Sequence, residues 1–349
     1  MLPKSAAPPN ATMPALSATE GWFDHWLEAF GGAAGARWCS PRSDVCIPYV
    51  LATDRVGGVS IPAACSATNR HSPRFDALGE AQVDAQDIRL LMDDLSVPML
   101  VLDYLSPDAA LMQTINDASR AGLAFRVKEI ALSPRVDCTG DFDDWWHSRG
   151  SHKKTWARRE RRLVEREGAS FEVILDPARV EAVLDEIFEV EASGWKGSQG
   201  TAIRQDPATL QFYSDLALAC AQQGTLRLFV LRLDSRIVAF QFDTLFGGVL
   251  DMLKIGYRDE LQKSSPGQVL QLQILRWAFD QTDVEVFDML GGSIDPDETK
   301  LRFATHCEPL YRVRFFRRTP RGMLAWARYK ALPAANARLG NMRGSVADG

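Results

Sequence analysis

Residues 258–278, RDELQKSSPGQVLQLQILRWA, constrain the chain most: a run of strand composition ends there in small residues and opens at once into a long apolar helix. Ser265 is placed to cap that helix. Pro266 suits the first helical position, where its missing N–H is not needed, and Gly267 lets a ligand approach the backbone closely. The unpaired N–H groups of the first turn, the positive end of the helix dipole and Lys263 beside them have the make-up of a phosphate or pyrophosphate site. The same residues also make an efficient helix start and nothing more.

Context sharpens the reading. Upstream lie three runs of strand composition, 226–233, 237–246 and 249–255, separated by Asp234-Ser235-Arg236 and Gly247-Gly248, which predict an antiparallel meander. Helical patterns at 180–192 and 207–223 precede it. After a helix over 268–281 come a strand at 284–290, a short helix at 296–304 and a final strand at 310–316. The predicted order is β, α, α, β, β, β, α, β, α, β.

That order, with a phosphate-type turn after the third meander strand, resembles the Gcn5-related N-acetyltransferase (GNAT) fold, in which the turn wraps the pyrophosphate of an acyl-coenzyme A. The usual Gln/Arg-x-x-Gly-x-Gly/Ala motif is replaced here by Gln262-Lys263-Ser264-Ser265-Pro266-Gly267. Glu191-Ala192-Ser193-Gly194-Trp195-Lys196-Gly197, Gly200-Thr201-Ala202, Tyr257 and Phe287-Asp288 with Lys300 resemble a bacterial GNAT-like acetyltransferase family associated with cellulose and exopolysaccharide biosynthesis. That family is related to the Fem aminoacyltransferases. The resemblance spans roughly 137–316 and implies tandem GNAT-like lobes with mixed, mostly antiparallel sheets flanked by helices. It also implies acyl-coenzyme A, with acetyl-coenzyme A the favoured form, as co-substrate and a small-molecule or lipid-linked saccharide as acceptor.

Composition agrees with a globular chain of two lobes: 349 residues, 46% hydrophobic and 24% charged. The expected division is a disordered tail at 1–20, a degenerate lobe at 21–135, a linker with a basic helix at 136–168, a catalytic lobe at 169–318 and a C-terminal helix and tail at 319–349. No apolar run approaches the length that spans a bilayer, and the six cysteines lack CxxC pairing, so they read as reduced thiols of a cytoplasmic protein. His and Cys show no metal-ligand spacing, and no metal is expected. The net charge of −5 argues against general DNA binding.

In the first half, strands are predicted at 45–52, 59–63, 97–102 and 125–132, with helices at 22–30, 84–95 and 107–120, as in a worn second copy of the unit. Residues 151–168, SHKKTWARRERRLVEREG, form a basic helix with one narrow stripe, Trp156 and Leu163. Three readings of it stay open: a solvated face, a phosphate-reading surface in which Arg158 and Arg162 bind an anionic acceptor, and a transfer-RNA grip.

GNAT-type transfer needs a polarised thioester, an acceptor beside it and a group to take the proton, with no covalent nucleophile. The candidate catalytic groups are Asp288, Tyr257 and Glu191, with Asp251 behind them. Asp288 is favoured as base or acceptor-orienting group, against the alternative that it caps the Gly291-Gly292 loop. Lys263, Ser264, Ser265, Pro266, Gly267 and Gln268 are expected to hold the coenzyme, and Trp195, Lys196 and Lys300 the acceptor. Two other functions fit the same fold: aminoacyl transfer from charged transfer-RNA, and a non-catalytic scaffold of a polysaccharide synthesis complex.

Overall fold

The computed structural model describes residues 16–56, 58–79, 82–193, 202–295 and 297–330. The chain divides into two compact units, one built from Met1–Phe30 with Ala131–Pro309 and the other from Gly31–Ile130 with Leu310–Gly349. The helical pattern at 22–30 appears as α1 (Glu20–Trp26) and a following π-turn. It packs within the first unit, where Trp22 and Phe30 meet Phe212 at ring-centroid distances of 5.3 and 5.2 Å.

The second unit is a sheet ordered β1 (Gly35–Cys39), β2 (Cys46–Val56), β3 (Val59–Ser66), β4 (Met99–Leu105) and β11 (His306–Arg317); only β3 and β4 run parallel. Helix α2 (Ala85–Asp94) begins at Asp84, which with Asp87 completes a capping box. The helix expected over 107–120 shrinks to α3 (Ala110–Gln113) and a 3-10 turn, Thr114–Asn116. Cys39 and Cys46 are cross-strand partners and are joined in a disulfide, which overturns the expectation that all six cysteines are free thiols. Cys65, Cys138, Cys220 and Cys307 remain free.

The long strand β5 (Leu123–Asp137) carries the chain into the first unit. Helices α4 (Phe142–Ser148) and α5 (His152–Glu160) follow it, and a π-turn over Arg161–Arg166 ends at Gly168, which has φ +76°. Next come β6 (Ser170–Ile174), α6 (Pro177–Ser193) and α7 (Pro207–Gln222). The meander β7 (Leu226–Leu233), β8 (Arg236–Phe246) and β9 (Val249–Tyr257) then leads into α8 (Pro266–Asp280), β10 (Val286–Asp288) and α9 (Glu298–Phe303). The sheet order is β5-β10-β9-β8-β7-β6, antiparallel except for β9 beside β10.

Alternation along the strands sorts the core. Phe242 on β8 meets Tyr213 of α7 at 5.9 Å on one face, and Phe229 on β7 meets Trp277 of α8 at 4.9 Å on the other. The basic segment is tied to this second face. Trp156 and Leu163 are buried, Trp156 stacks on Phe303 at 4.2 Å, and Glu160 pairs with Arg276 of α8 at 3.0 Å. Among the described residues no helix is long and apolar enough to cross a membrane.

Candidate active site

Two neighbouring strands that part company make the opening of the site. β10 pairs with β9 only over Val286–Asp288 against Val249–Asp251, whereas β9 runs on to Tyr257. The chain leaves β10 through Leu290, which has φ +53°, and Gly291, where an added Cβ would lie 1.8 Å from the Leu132 carbonyl oxygen. That backbone approach on β5 turns the chain away from β9, and only glycine permits it. Between the diverging strands and the start of α8 lies a cavity of ≈ 830 Å³, within the size range of small-molecule sites.

The wall nearest α8 contains Ser265, Gly267, Gln268 and Gln271. Its local structure differs from the expected small-residue turn, because a 3-10 segment, Asp259–Ser264, separates β9 from α8. Ser265 stands at the N-cap in the left-handed region (φ 54°) and its side chain makes no cap bond, so the expected side-chain cap is absent. The Ser265 carbonyl instead accepts the N–H groups of Gln268 and Val269 at 3.0 and 3.2 Å. Lys263 is exposed, Ser264 and Pro266 are buried, and none of the three lines the cavity. The cation beside this helix start is Arg159, whose Nη1 donates to the Gln268 Oε1. The sequence pointed instead to Lys263 here, and to Arg158 and Arg162 as ligands of an anionic acceptor. Arg158 is exposed, and Arg162 pairs with Glu167 at 2.8 Å.

Glu191, Lys254 and Tyr257 also line the cavity, Tyr257 next to Gly267. Glu191 is 2% exposed; its Oε2 accepts the Ile203 N–H at 2.7 Å and its Oε1 lies 3.8 Å from the Lys254 Nζ. Lys254 sits 4.9 Å above the Tyr213 ring. Gly256 is what lets α6 come this close, since a Cβ there would lie 2.5 Å from a Phe240 ring carbon and 3.0 Å from the Glu191 Cα. Neither Lys254 nor Gly256 stood out in the sequence, because a lysine and a glycine inside a strand carry no motif.

Asp288 does not face this cavity. It is 0% exposed, its Oδ2 accepts from the Arg135 Nε at 2.6 Å, and its Oδ1 accepts from the Ser133 hydroxyl at 2.5 Å and the Leu290 N–H at 2.8 Å. A carboxylate so engaged is a strut for the Leu290–Gly291 turn, as in the alternative capping role, rather than a free base. Lys300 does line the cavity, but its ammonium donates to the Met289 and Leu290 carbonyls at 2.6 and 2.8 Å, which fixes the same turn from the other side. Trp195 and Lys196 lie outside the described residues.

Behind the cavity, Gln241 donates from its Nε2 to the Asp243 Oδ2 at 2.7 Å. Burial pushes the Asp243 carboxyl well above the usual carboxylate range, and the charge of Asp251 raises it further against the bond from Gln241. Burial also pushes the Cys138 and Cys220 thiols up to about 12 and about 11, so neither is a nucleophile at neutral pH.

A mixed sheet whose parallel pair diverges around a cavity at a helix N-terminus is GNAT-like in arrangement. Residues 150–298 match the acetyltransferase (GNAT) domain family. Solved structures of similar fold include the C-terminal domain of a putative lysylphosphatidylglycerol synthetase from Agrobacterium fabrum. The two are 15% identical, with a TM-score of 0.56 over 89% of this chain and 91% of that one. L-PGS from Bacillus licheniformis (14% identity, TM-score 0.54, 91% and 97% covered) and FemX (9%, 0.52, 83% and 90%) are also similar. At these identities the likeness is one of fold. No curated protein matches the sequence.

Proposed function

We propose that the chain is an acyltransferase that takes an acyl group from acyl-coenzyme A and places it on an amine or hydroxyl of a cell-envelope or exopolysaccharide precursor. The observation that carries this reading is the divergence of β9 from β10 beside the start of α8, with the cavity at the opening. Gly267 offers close backbone approach and Arg159 a cation for the donor's phosphates. Beyond Asp251, where β10 no longer pairs with it, β9 offers backbone groups to the arm that ends in the thioester.

In the transfer, the acceptor nitrogen or oxygen attacks the thioester carbonyl, the new C–N or C–O bond forms, and the C–S bond breaks. In this reading Glu191, a carboxylate that lines the cavity, takes the acceptor's proton, and the Tyr257 hydroxyl protonates the departing sulfur. Asp288 holds the turn that shapes the opening, and Lys300 holds the same turn while bringing positive charge to the acceptor side. Acetyl is the acyl group that the acetyltransferase-domain match favours.

A second reading is favoured by the outer face of the basic segment. Lys154, Arg158, Arg161, Arg162 and Arg166 are all exposed there, a row suited to a polyphosphate backbone, which suggests aminoacyl transfer from charged transfer-RNA. The fold's likeness to the putative lysylphosphatidylglycerol synthetase domain fits either donor. Release of free coenzyme A from acetyl-coenzyme A, followed by mass spectrometry against a panel of amine and saccharide acceptors, tests the first reading; salt-sensitive transfer-RNA binding tests the second. Neither activity would leave the scaffold role.

A further inference from the structure

Helix α8 carries one polar side chain that its own packing does not explain. Val269, Leu270, Leu272, Ile274 and Leu275 are each no more than 2% exposed and fill the core, and Gln273 is bonded to Glu160. Gln271, only 9% exposed, lies among them and lines the cavity, and its Nε2 has no hydrogen-bond partner among the described residues. A buried amide donor left unpaired costs about 1–3 kcal/mol. A leucine or methionine at this place would close the core without that cost.

Its position along the helix indicates what it meets. Gln268, held by Arg159, is one turn earlier on the same face, about 4.5 Å along the axis at the ordinary helical rise. A donor whose phosphates rest at the Arg159–Gln268 pair and whose thioester end runs inward brings the chain that links its pyrophosphate to its sulfur past Gln271. In coenzyme A that chain contains two secondary amides. We infer that Gln271 recognises the acyl donor by this arm, its side-chain amide donating to an arm carbonyl. The inference rests on the acyl-coenzyme A reading and adds a determinant of donor specificity to it, because an aminoacyl ester on transfer-RNA has no such arm.

Gln271→Met keeps the length and helix preference of the side chain and removes the amide. Binding is measured by calorimetry with acetyl-coenzyme A and with S-acetylpantetheine, which has the arm but no nucleotide, alongside the melting temperature without ligand. The expected result is an approximately five-fold rise in Kd for both ligands, the equivalent of about 1 kcal/mol for one hydrogen bond, with a melting temperature equal to or above wild type. In Arg159→Gln, acetyl-coenzyme A should weaken and S-acetylpantetheine should not. A Gln271→Met variant that binds acetyl-coenzyme A within two-fold of wild type overturns the inference and leaves the donor reading standing. So does one that melts well below wild type or fails to fold, since the amide would then be serving the core. Wild-type protein that binds no acetyl-coenzyme A sinks the donor reading itself and this inference with it.

Discussion

Arg135 on β5 and Asp288 on β10 are cross-strand partners, and the guanidinium reaches the carboxylate at 2.6 Å with both side chains at least nine-tenths buried. Breaking one side of such a pair leaves an uncompensated buried charge, which typically costs about 3–5 kcal/mol. Asp288→Asn should therefore lower the melting temperature markedly while leaving turnover per folded molecule nearly unchanged, as judged by calorimetry and single-turnover rates. A stable variant with a collapsed rate would return Asp288 to the chemistry.

Glu191→Gln should behave in the opposite way. The amide oxygen still accepts the Ile203 N–H, but the carboxylate that receives the acceptor's proton in the proposed reaction is gone. Turnover should fall by roughly 10²-fold with donor affinity unchanged. Equal rates in variant and wild type would remove Glu191 from the mechanism.

Gly267 packs against Tyr257, where an added Cβ would lie 3.4 Å from a ring carbon. The branched side chain of Gly267→Val pushes on the ring and fills the approach to the backbone. Acetyl-coenzyme A binding should weaken by about ten-fold or more, roughly the loss of one or two good contacts, while circular dichroism stays native. Unchanged affinity would move the donor site elsewhere.

Charge reversal on the exposed face separates donor from acceptor. Arg158→Glu with Arg162→Glu leaves Arg159 on Gln268, so KM for acetyl-coenzyme A should hold while KM for an anionic acceptor rises several-fold, an effect that shrinks in high salt. If the two constants move together, or neither moves, this face is only solvated.

Asp243 sets a pH dependence of stability. Its folded carboxyl, raised by burial, stays protonated above the pH of about 4 at which the unfolded one ionises. The native state then binds the extra proton, so this group's contribution is complete in acid and is lost as pH rises through its folded value. Asp243→Asn keeps an oxygen for Gln241 and removes the dependence. It should melt a few degrees higher than wild type at pH 8 and close to it at pH 4; parallel melting curves across that range would contradict the assignment.

Much of the secondary structure was legible. Asp234-Ser235-Arg236 and Gly247-Gly248 bounded the meander strands to within a few residues, because turn chemistry is local. The helix start at Pro266 followed from the same signals. Partners distant in sequence were not legible. Asp288 meets Arg135 across 153 positions, Cys39 meets Cys46 only because β1 and β2 pair in that register, and Arg159 reaches Gln268 because Trp156, one turn earlier on the same side of its helix, is buried against the unit. Ser265 misled because its residue type favours a side-chain cap, whereas the preceding 3-10 segment delivers it in a left-handed conformation. The helix expected at 107–120 stops early, and its start is held by Asp76, which accepts the Ala110 and Leu111 N–H groups at 2.7 and 2.9 Å.

The strut at Asp288 bears on what can be inherited or transplanted as a piece. The stretch of family likeness, 150–298, includes Asp288 but neither Ser133 nor Arg135, which lie upstream on β5. A gene fragment cut at those edges would encode an acid with no counter-ion to hold it inside. A piece moved out of this chain must therefore carry the strand before it as well if it is to keep the pair, and that piece is longer than the stretch by which the family is recognised.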